Sequence, residues 1–464
     1  MRRAAWALAL GLLLAAGPRA LAREAGDDRA PALRLTLGQL LERARKHAQL
    51  EAADHAIAAA EAQWREAVRA WIPQFEYQAV LAPSPDIRCF NLAGQRDTAN
   101  CVSTSNPNPS IDAIGLGIFG RVEVKGGMPL YTFGKLAAAR ELATQGVYAA
   151  HRKADQTRAD LELSVRKAYF GAKVTREVLA TIAEGRERLT DAIARIEKDL
   201  DKDDSDVSET DLLRLRSAAS TVDSRALEAD KGRELARAAL DTLAGTAGAD
   251  VDDGPILPAP IAKKSTERWI ELARLQRPES RLLDVAMAAK RQQLELEIAR
   301  YYPDLALVGT LTYAYAGTAD DPKNAFYADP FNTFGFGVAL ALKGTLDYHM
   351  KLPRVDRLRA ELAELEANRR AAQGGIALEV RKALADVREA ERRLPILERG
   401  KKAARSWLVA VTQSFSVGLA QARDFNDALV AYFEAELRTL QAVYDFNVAV
   451  AQLGRATGAD PASP

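Results

Sequence analysis

The chain has 464 residues, with 64 Lys and Arg against 63 Asp and Glu, a formal net charge of +1, and 2 Cys. So even a balance gives no electrostatic basis for binding nucleic acid. Mean hydropathy is −0.19, and beyond the N-terminus no apolar run reaches the ~20 residues of a membrane helix. That excludes an α-helical membrane protein but leaves a β one open, because alternating strands of ~9–11 residues give little hydropathy signal.

Arg2 and Arg3 precede an apolar run from Ala4 to Ala16, then Gly17-Pro18 and Ala20-Leu21-Ala22. A charged start, a short apolar stretch and an A-x-A site predict a signal peptide over residues 1–22 and an exported mature chain. Thr36 with Gln39 then reads as a capping box opening a helix to about Ala70. Pro73 ends it, and Phe75, Tyr77 and Ala79 begin a first strand over about 71–82. Residues 82–112 are rich in Pro, Asn, Ser and Asp, a long surface loop holding Cys89 and Cys101. Two cysteines in one exported loop predict a disulfide; two thiols with no His nearby leave a metal under-coordinated.

The return strand, about 113–126, alternates Leu116, Ile118, Val122 and Val124 against Gly117, Phe119, Arg121, Glu123 and Lys125. It contains Gly115-Leu116-Gly117-Ile118-Phe119-Gly120, which matches the dinucleotide fingerprint. That motif must follow a strand and open a helix, whereas here a strand runs through it. A helix from Thr132 to about Leu200, an acidic turn from Asp199 to Glu209 and a helix from Thr210 to Leu243 follow. Gly245, Gly248, Gly254-Pro255, Pro258 and Pro260 mark a connector.

The plan then recurs. A charged helix over 266–300 gives way at Tyr301-Tyr302-Pro303 to period-2 strands over about 302–316 and 332–344. Helices run from about Pro353 to Phe415 and, after a turn at Val417-Gly418-Leu419, to about Gly454. Pro73 and Pro303 align at an offset of 230, pairing Trp71 with Tyr301, and Val165-Arg166-Lys167-Ala168 recurs as Val380-Arg381-Lys382-Ala383. The chain is read as signal peptide 1–22, first repeat 23–250 (hairpin 71–126, helix pair 132–245), connector 251–265, second repeat 266–457 (hairpin 301–344, helix pair 353–454) and tail 458–464. Such a long period indicates duplication, not a solenoid.

Helices of about 60 residues are ~90 Å long at ~1.5 Å per residue, too long for a compact domain. Val355, Leu358, Leu362 and Leu365 step as a coiled-coil seam. Four strands with one apolar face cannot close a barrel alone, and a membrane barrel needs at least ~8. Copies of the chain must therefore associate with cyclic symmetry, with apolar faces to lipid, small or polar faces to a pore, and Trp71, Tyr131, Tyr301, Tyr302 and Tyr348 as an aromatic belt. The last helix carries a packing stripe (Phe425, Leu429, Phe433, Leu440, Val443) and a polar stripe that includes Asp424, Asp427, Glu434 and Asp445. From residues alone Asp424 reads equally as an N-cap with Asp427 in the first turn.

The two-copy plan, Pro73 and Pro303 before strands, Pro129-Leu130-Tyr131 leading into a helix, and Ser416-Val417-Gly418-Leu419 followed by Asp424 and Asp427 resemble the TolC-type outer-membrane efflux protein family over essentially the whole mature chain. The resemblance implies a homotrimer with a twelve-stranded barrel in outer-membrane lipid and an α-helical barrel through the periplasm. It implies an exit duct serving an inner-membrane transporter, with a periplasmic adaptor docking at turns such as Val417-Gly418-Leu419, and Asp424 and Asp427 as a carboxylate ring at the periplasmic gate. Ala420 stands where some members carry an Arg, and Phe415 where they carry a Tyr. The competing reading is a periplasmic coiled-coil adaptor or structural protein without a pore. No cofactor or metal site is read, and His47, His55, His151 and His349 stand beside no nucleophile motif, so no enzyme is expected.

Overall fold

The computed structural model describes residues 33–84, 87–103, 117–200, 208–324, 328–417 and 419–463. The signal peptide, residues 113–116 of the expected second strand, residues 201–207 of the acidic turn and Gly418 lie outside the described residues.

Two helices open the chain where one was expected. In α1 (Leu37–Ala44) the capping box is present: Gln39 N–H donates to Thr36 Oγ1 at 3.4 Å and Thr36 N–H to Gln39 Oε1 at 3.0 Å. α2 (Ala48–Arg69) starts afresh because His47 is extended, with φ −69° and ψ 142°, and its Nδ1 accepts from Gln49 N–H. The break lets α1 bury Leu40 and Ala44 while α2 buries only Leu50. The helix expected over 266–300 likewise divides, into α5 (Thr266–Gln276) and α6 (Pro278–Ala299). Pro278 holds Arg277 extended, with ψ 127°, and serves as the first residue of the new helix.

One pairing was not anticipated. β1 (Leu33–Leu35) runs parallel to β4 (Ala249–Val251), so the connector placed at 251–265 begins on a strand end. Three residues are too few for an alternation pattern to be read.

Four helices set the scale: α3 (Lys135–Leu200), α4 (Glu209–Ala244), α7 (Tyr348–Ser416) and α8 (Ala422–Thr457). With 66 and 69 residues, α3 and α7 are each ~100 Å long at ~1.5 Å per residue. α7 starts before Pro353, not at it. Lys351 Nζ donates to Thr345 O at 2.9 Å and lies 3.2 Å from Asp347 Oδ1, which anchors the first turn, and Pro353 costs the second turn one backbone bond. Three apolar clusters hold the helices together. Leu40, Val165, Leu240 and Val251 centre one, Trp269, Val380, Val387 and Leu453 the next, and Leu189, Ile196, Leu212, Leu215, Phe425 and Leu429 the third, beside the α7–α8 turn. Each fully buried side chain of this size contributes about 1.5–3 kcal/mol.

The remaining strands form one antiparallel sheet in the order β2-β3-β5-β6, from β2 (Gln74–Ser84), β3 (Gly117–Tyr131), β5 (Asp304–Ala316) and β6 (Thr333–Lys343). The first hairpin does not stop at 126. β3 pairs with β5 as far as Tyr131↔Leu305, and Pro129, expected beyond the strand, pairs with Ala306 beside an irregularity in register, where its missing N–H is tolerated. β2 starts at Gln74, not 71, because Ile72 N–H still bonds Arg69 O at the end of α2.

Candidate functional site: the sheet and the helical tip

Register sorts the sheet into two unlike faces. One carries the rows Tyr77↔Val124↔Leu311↔Phe336 and Ala79↔Val122↔Tyr313↔Phe334. On this face Tyr77, Leu81 and Phe336 are 80%, 82% and 72% exposed. The other carries Glu76↔Lys125↔Thr310↔Gly337, Gln78↔Glu123↔Thr312↔Gly335 and Val80↔Arg121↔Ala314↔Thr333. Glycines fit the apolar face for steric reasons: the Phe75 ring lies across Gly126, where a Cβ would meet it at 2.5 Å. β2 and β6 have no further strand partner among the described residues. No described helix is long and apolar enough to cross a membrane.

Aromatic rings gather where the sheet meets the helices. Phe133, at φ 51°, lies in the left-handed region at the β3–α3 junction. Its ring stacks on Tyr302 (5.2 Å, 11° between planes) and meets the edge of Tyr131 at 4.7 Å. Tyr301 stacks on Tyr348 at 5.9 Å, with Lys351 Nζ 5.2 Å from the centre of the Tyr348 ring. Trp71, Tyr131 and Tyr302 are more than half exposed.

At the opposite end α7 turns into α8. Val417 and Leu419 flank the turn and are exposed. The N-cap of α8 is Gln421, so Asp424 is not a cap; it is the acidic residue of the first turn, near the positive end of the helix dipole. Asp424 and Asp427 are both exposed, and Asp427 lies 3.8 Å from Arg423. Between them Asn426 points inward, its Oδ1 buried without a hydrogen-bond partner among the described residues. It lines a groove of about 560 Å³ between α4 and α8, walled by Leu213, Val222, Leu429 and Val430. Phe415 stacks on Phe425 at 5.2 Å and fixes the turn from below. Further along α8 the polar stripe stays on the surface, with Glu434 bonded to Arg438 at 2.9 Å and Asp445 to Arg393 at 2.6 Å.

The loops at the far end of the sheet carry the disulfide expected from the sequence and a clasp between the two hairpins that the sequence did not reveal. Cys89 and Cys101, both buried, are bonded, with Cα atoms 5.3 Å apart. Asp320, from the other hairpin, accepts from Arg96 at 2.6 and 3.1 Å, Arg88 at 3.3 Å and Cys89 N–H at 3.1 Å. Burial alone would raise this carboxyl, but Arg96, the Cys89 N–H and Arg88 hold it below the ordinary carboxylate range. Such pairing across more than 220 residues leaves no local pattern, and a lone Asp in a polar loop gives no signal.

Sheet, aromatic cluster and paired long helices make a four-stranded β element mounted on a helical stalk. Residues 269–459 match the family model for outer membrane efflux proteins. No curated protein matches the chain in sequence. Among solved structures, CusC, described with its folding and transmembrane channel formation, superposes with a TM-score of 0.71 at 18% identity, covering 95% of this chain and 96% of its own. The CmeC outer membrane channel of Campylobacter jejuni gives 0.71 at 15% identity over 92% and 87%. The MtrE outer membrane channel of Neisseria gonorrhoeae, in its open state, gives 0.71 at 16% over 91% and 89%. Residues 269–459 are thus similar to outer membrane efflux proteins, and the chain as a whole has the fold of these solved outer-membrane channels.

Proposed function

We propose that three copies of this chain form an outer-membrane exit duct for efflux or secretion. The carrying observation is the sheet itself: four strands with an exposed apolar face, a polar opposite face and two unpaired edges, attached to helices ~100 Å long. Open edges and bare apolar surface are untenable in isolation. Joining β6 of one copy to β2 of the next gives twelve strands, lipid outside and water inside. The signal peptide over residues 1–22 directs export, and the helices extend into the periplasm.

Correspondences at the offset of 230 support the duplicated plan of 23–250 and 266–457. α2 and α6 begin at Ala48 and Pro278 and end at Arg69 and Ala299, and β2 and β5 begin at Gln74 and Asp304; beyond the hairpins, at a separate offset of 215, Val165 and Val380 of the recurring string are both fully buried. The tips carry Asp424 and Asp427 as a carboxylate ring at the periplasmic gate, and the Val417-Gly418-Leu419 turn as a contact for a periplasmic adaptor that links the duct to an inner-membrane transporter. Extraction tests the reading against the adaptor alternative: a barrel protein stays in the membrane through high salt and alkali and leaves only with detergent. Release by salt or alkali would favour the coiled-coil adaptor.

A further inference from the structure

Away from the Asp304↔Lys343 pair at the helix end of the sheet, the charge on the hydrophilic face is concentrated on one strand. Successive residues of β3 on that face are Arg121, Glu123 and Lys125, and the Glu123 carboxylate lies 2.9 Å from Lys125 Nζ and 3.6 Å from Arg121. The Glu123 side chain is 18% exposed, Arg121 and Lys125 42% and 58%. β2 adds Glu76 opposite Lys125, whereas β5 and β6 answer these rows with Thr, Ala and Gly only. The small neighbours leave the long cationic side chains room to lie along the wall. Turning this face to hydrocarbon would cost roughly 2–4 kcal/mol for each cation near the bilayer midplane, so it must face water.

We propose that Arg121, Glu123 and Lys125, balanced by Glu76 on β2, form a charged ledge that adds its own contribution to the ion selectivity of the duct at the level of the membrane. The proposal rests on the duct reading. Glu123 is its key residue. With Glu76 it offsets the two cations, so the band passes solutes of either sign. Its removal leaves one uncompensated positive charge per chain, three round the pore. This ledge is separate from the tip carboxylates, which lie at the far end of the long helices.

The test is the reversal potential of single channels of the full-length protein in planar bilayers, in a KCl gradient near 0.1 M, where the Debye length is ~10 Å and wall charges still reach the permeating ions. Glu123→Gln is expected to shift the K⁺/Cl⁻ permeability ratio about twofold or more toward chloride, and Arg121→Gln with Lys125→Gln toward potassium by a larger factor, because it leaves two uncompensated negative charges per chain. Thr312→Cys and Tyr313→Cys give a second readout that leaves the ledge intact. Thr312 lies opposite Glu123 and Tyr313 on the other face, so a charged water-soluble thiol reagent should react in the open channel with the first and not the second. Open channels whose selectivity is the same in wild type and both charge variants, or Tyr313→Cys reacting in place of Thr312→Cys, would overturn the ledge while leaving the duct standing. A wild type that opens no channel would remove the duct reading and this proposal together.

Discussion

Asp424 and Asp427 show how residue type and residue role can separate. Both stand out as carboxylates at the start of the last helix, but only the backbone reveals that Gln421 is the N-cap and Asp424 sits a turn further in. Replacing both with Asn therefore sacrifices no cap. It loses a charge–dipole interaction worth about 0.3–1 kcal/mol and an exposed contact to Arg423 worth about 0.3–0.5 kcal/mol. Six carboxylates round one axis would do far more for ions than for stability. In single-channel recordings the double variant should lose cation preference, and block by polyvalent cations from the periplasmic side should weaken about tenfold or more, since even a water-screened contact at ~4 Å is worth ~1 kcal/mol. Unchanged selectivity would place the gate elsewhere. Phe133 is the opposite case, an ordinary aromatic in the sequence that the structure shows in a left-handed conformation costing about 1–2 kcal/mol. Its contacts with Tyr131 and Tyr302, about 0.5–1.5 kcal/mol each, hold it there. Phe133→Ala should lower stability by about 1–3 kcal/mol, and Phe133→Gly by less because glycine relieves the backbone, read as thermal midpoints of the detergent-solubilised protein. Equal losses would show that the backbone carries no strain.

Elements were legible in proportion to their length. Period-2 alternation located all four strands of the sheet to within a few residues at most ends, and the long helices were plain from their apolar spacing. What escaped was short or long-range. β1 and β4 have three residues each, the His47 break depends on a ring nitrogen capping a helix, and the Arg277 break on the proline after it. The clasp between the two loops belongs here as well. Asp320 has a lowered pKa in the folded state, so its stabilising effect is complete above the ordinary carboxylate pKa of about 3.9 and is lost as pH falls through the lower folded value. Amide exchange in residues 87–103 should therefore stay flat from neutral pH down to about 4, after correction for intrinsic rates, and rise below it. Asp320→Asn should raise it already at neutral pH. Peptide mapping without reductant should recover Cys89 linked to Cys101, and reduction should loosen the same loop, at a cost of up to ~3 kcal/mol in the chain-entropy model. Exchange that ignores both Asp320 and the cysteines would mean that the loops are held by other contacts.

For the whole molecule, the sequence alone points to association, because four amphipathic strands leave apolar area and sheet edges with nothing to cover them. The structure places β3 against β5, which joins the two hairpins into one continuous sheet and leaves β2 and β6 as edges with no further strand partner among the described residues. Closure then depends on other copies, and the number of copies is the central claim. The most direct measurement is the subunit count of the protein extracted in mild detergent, by native mass spectrometry of the intact particle. Three chains per particle is the predicted result, with chemical cross-linking that stops at the trimer. A particle of one or two chains would contradict the account, since four or eight strands do not close the twelve-stranded wall on which the pore, the gate and the charged ledge all depend.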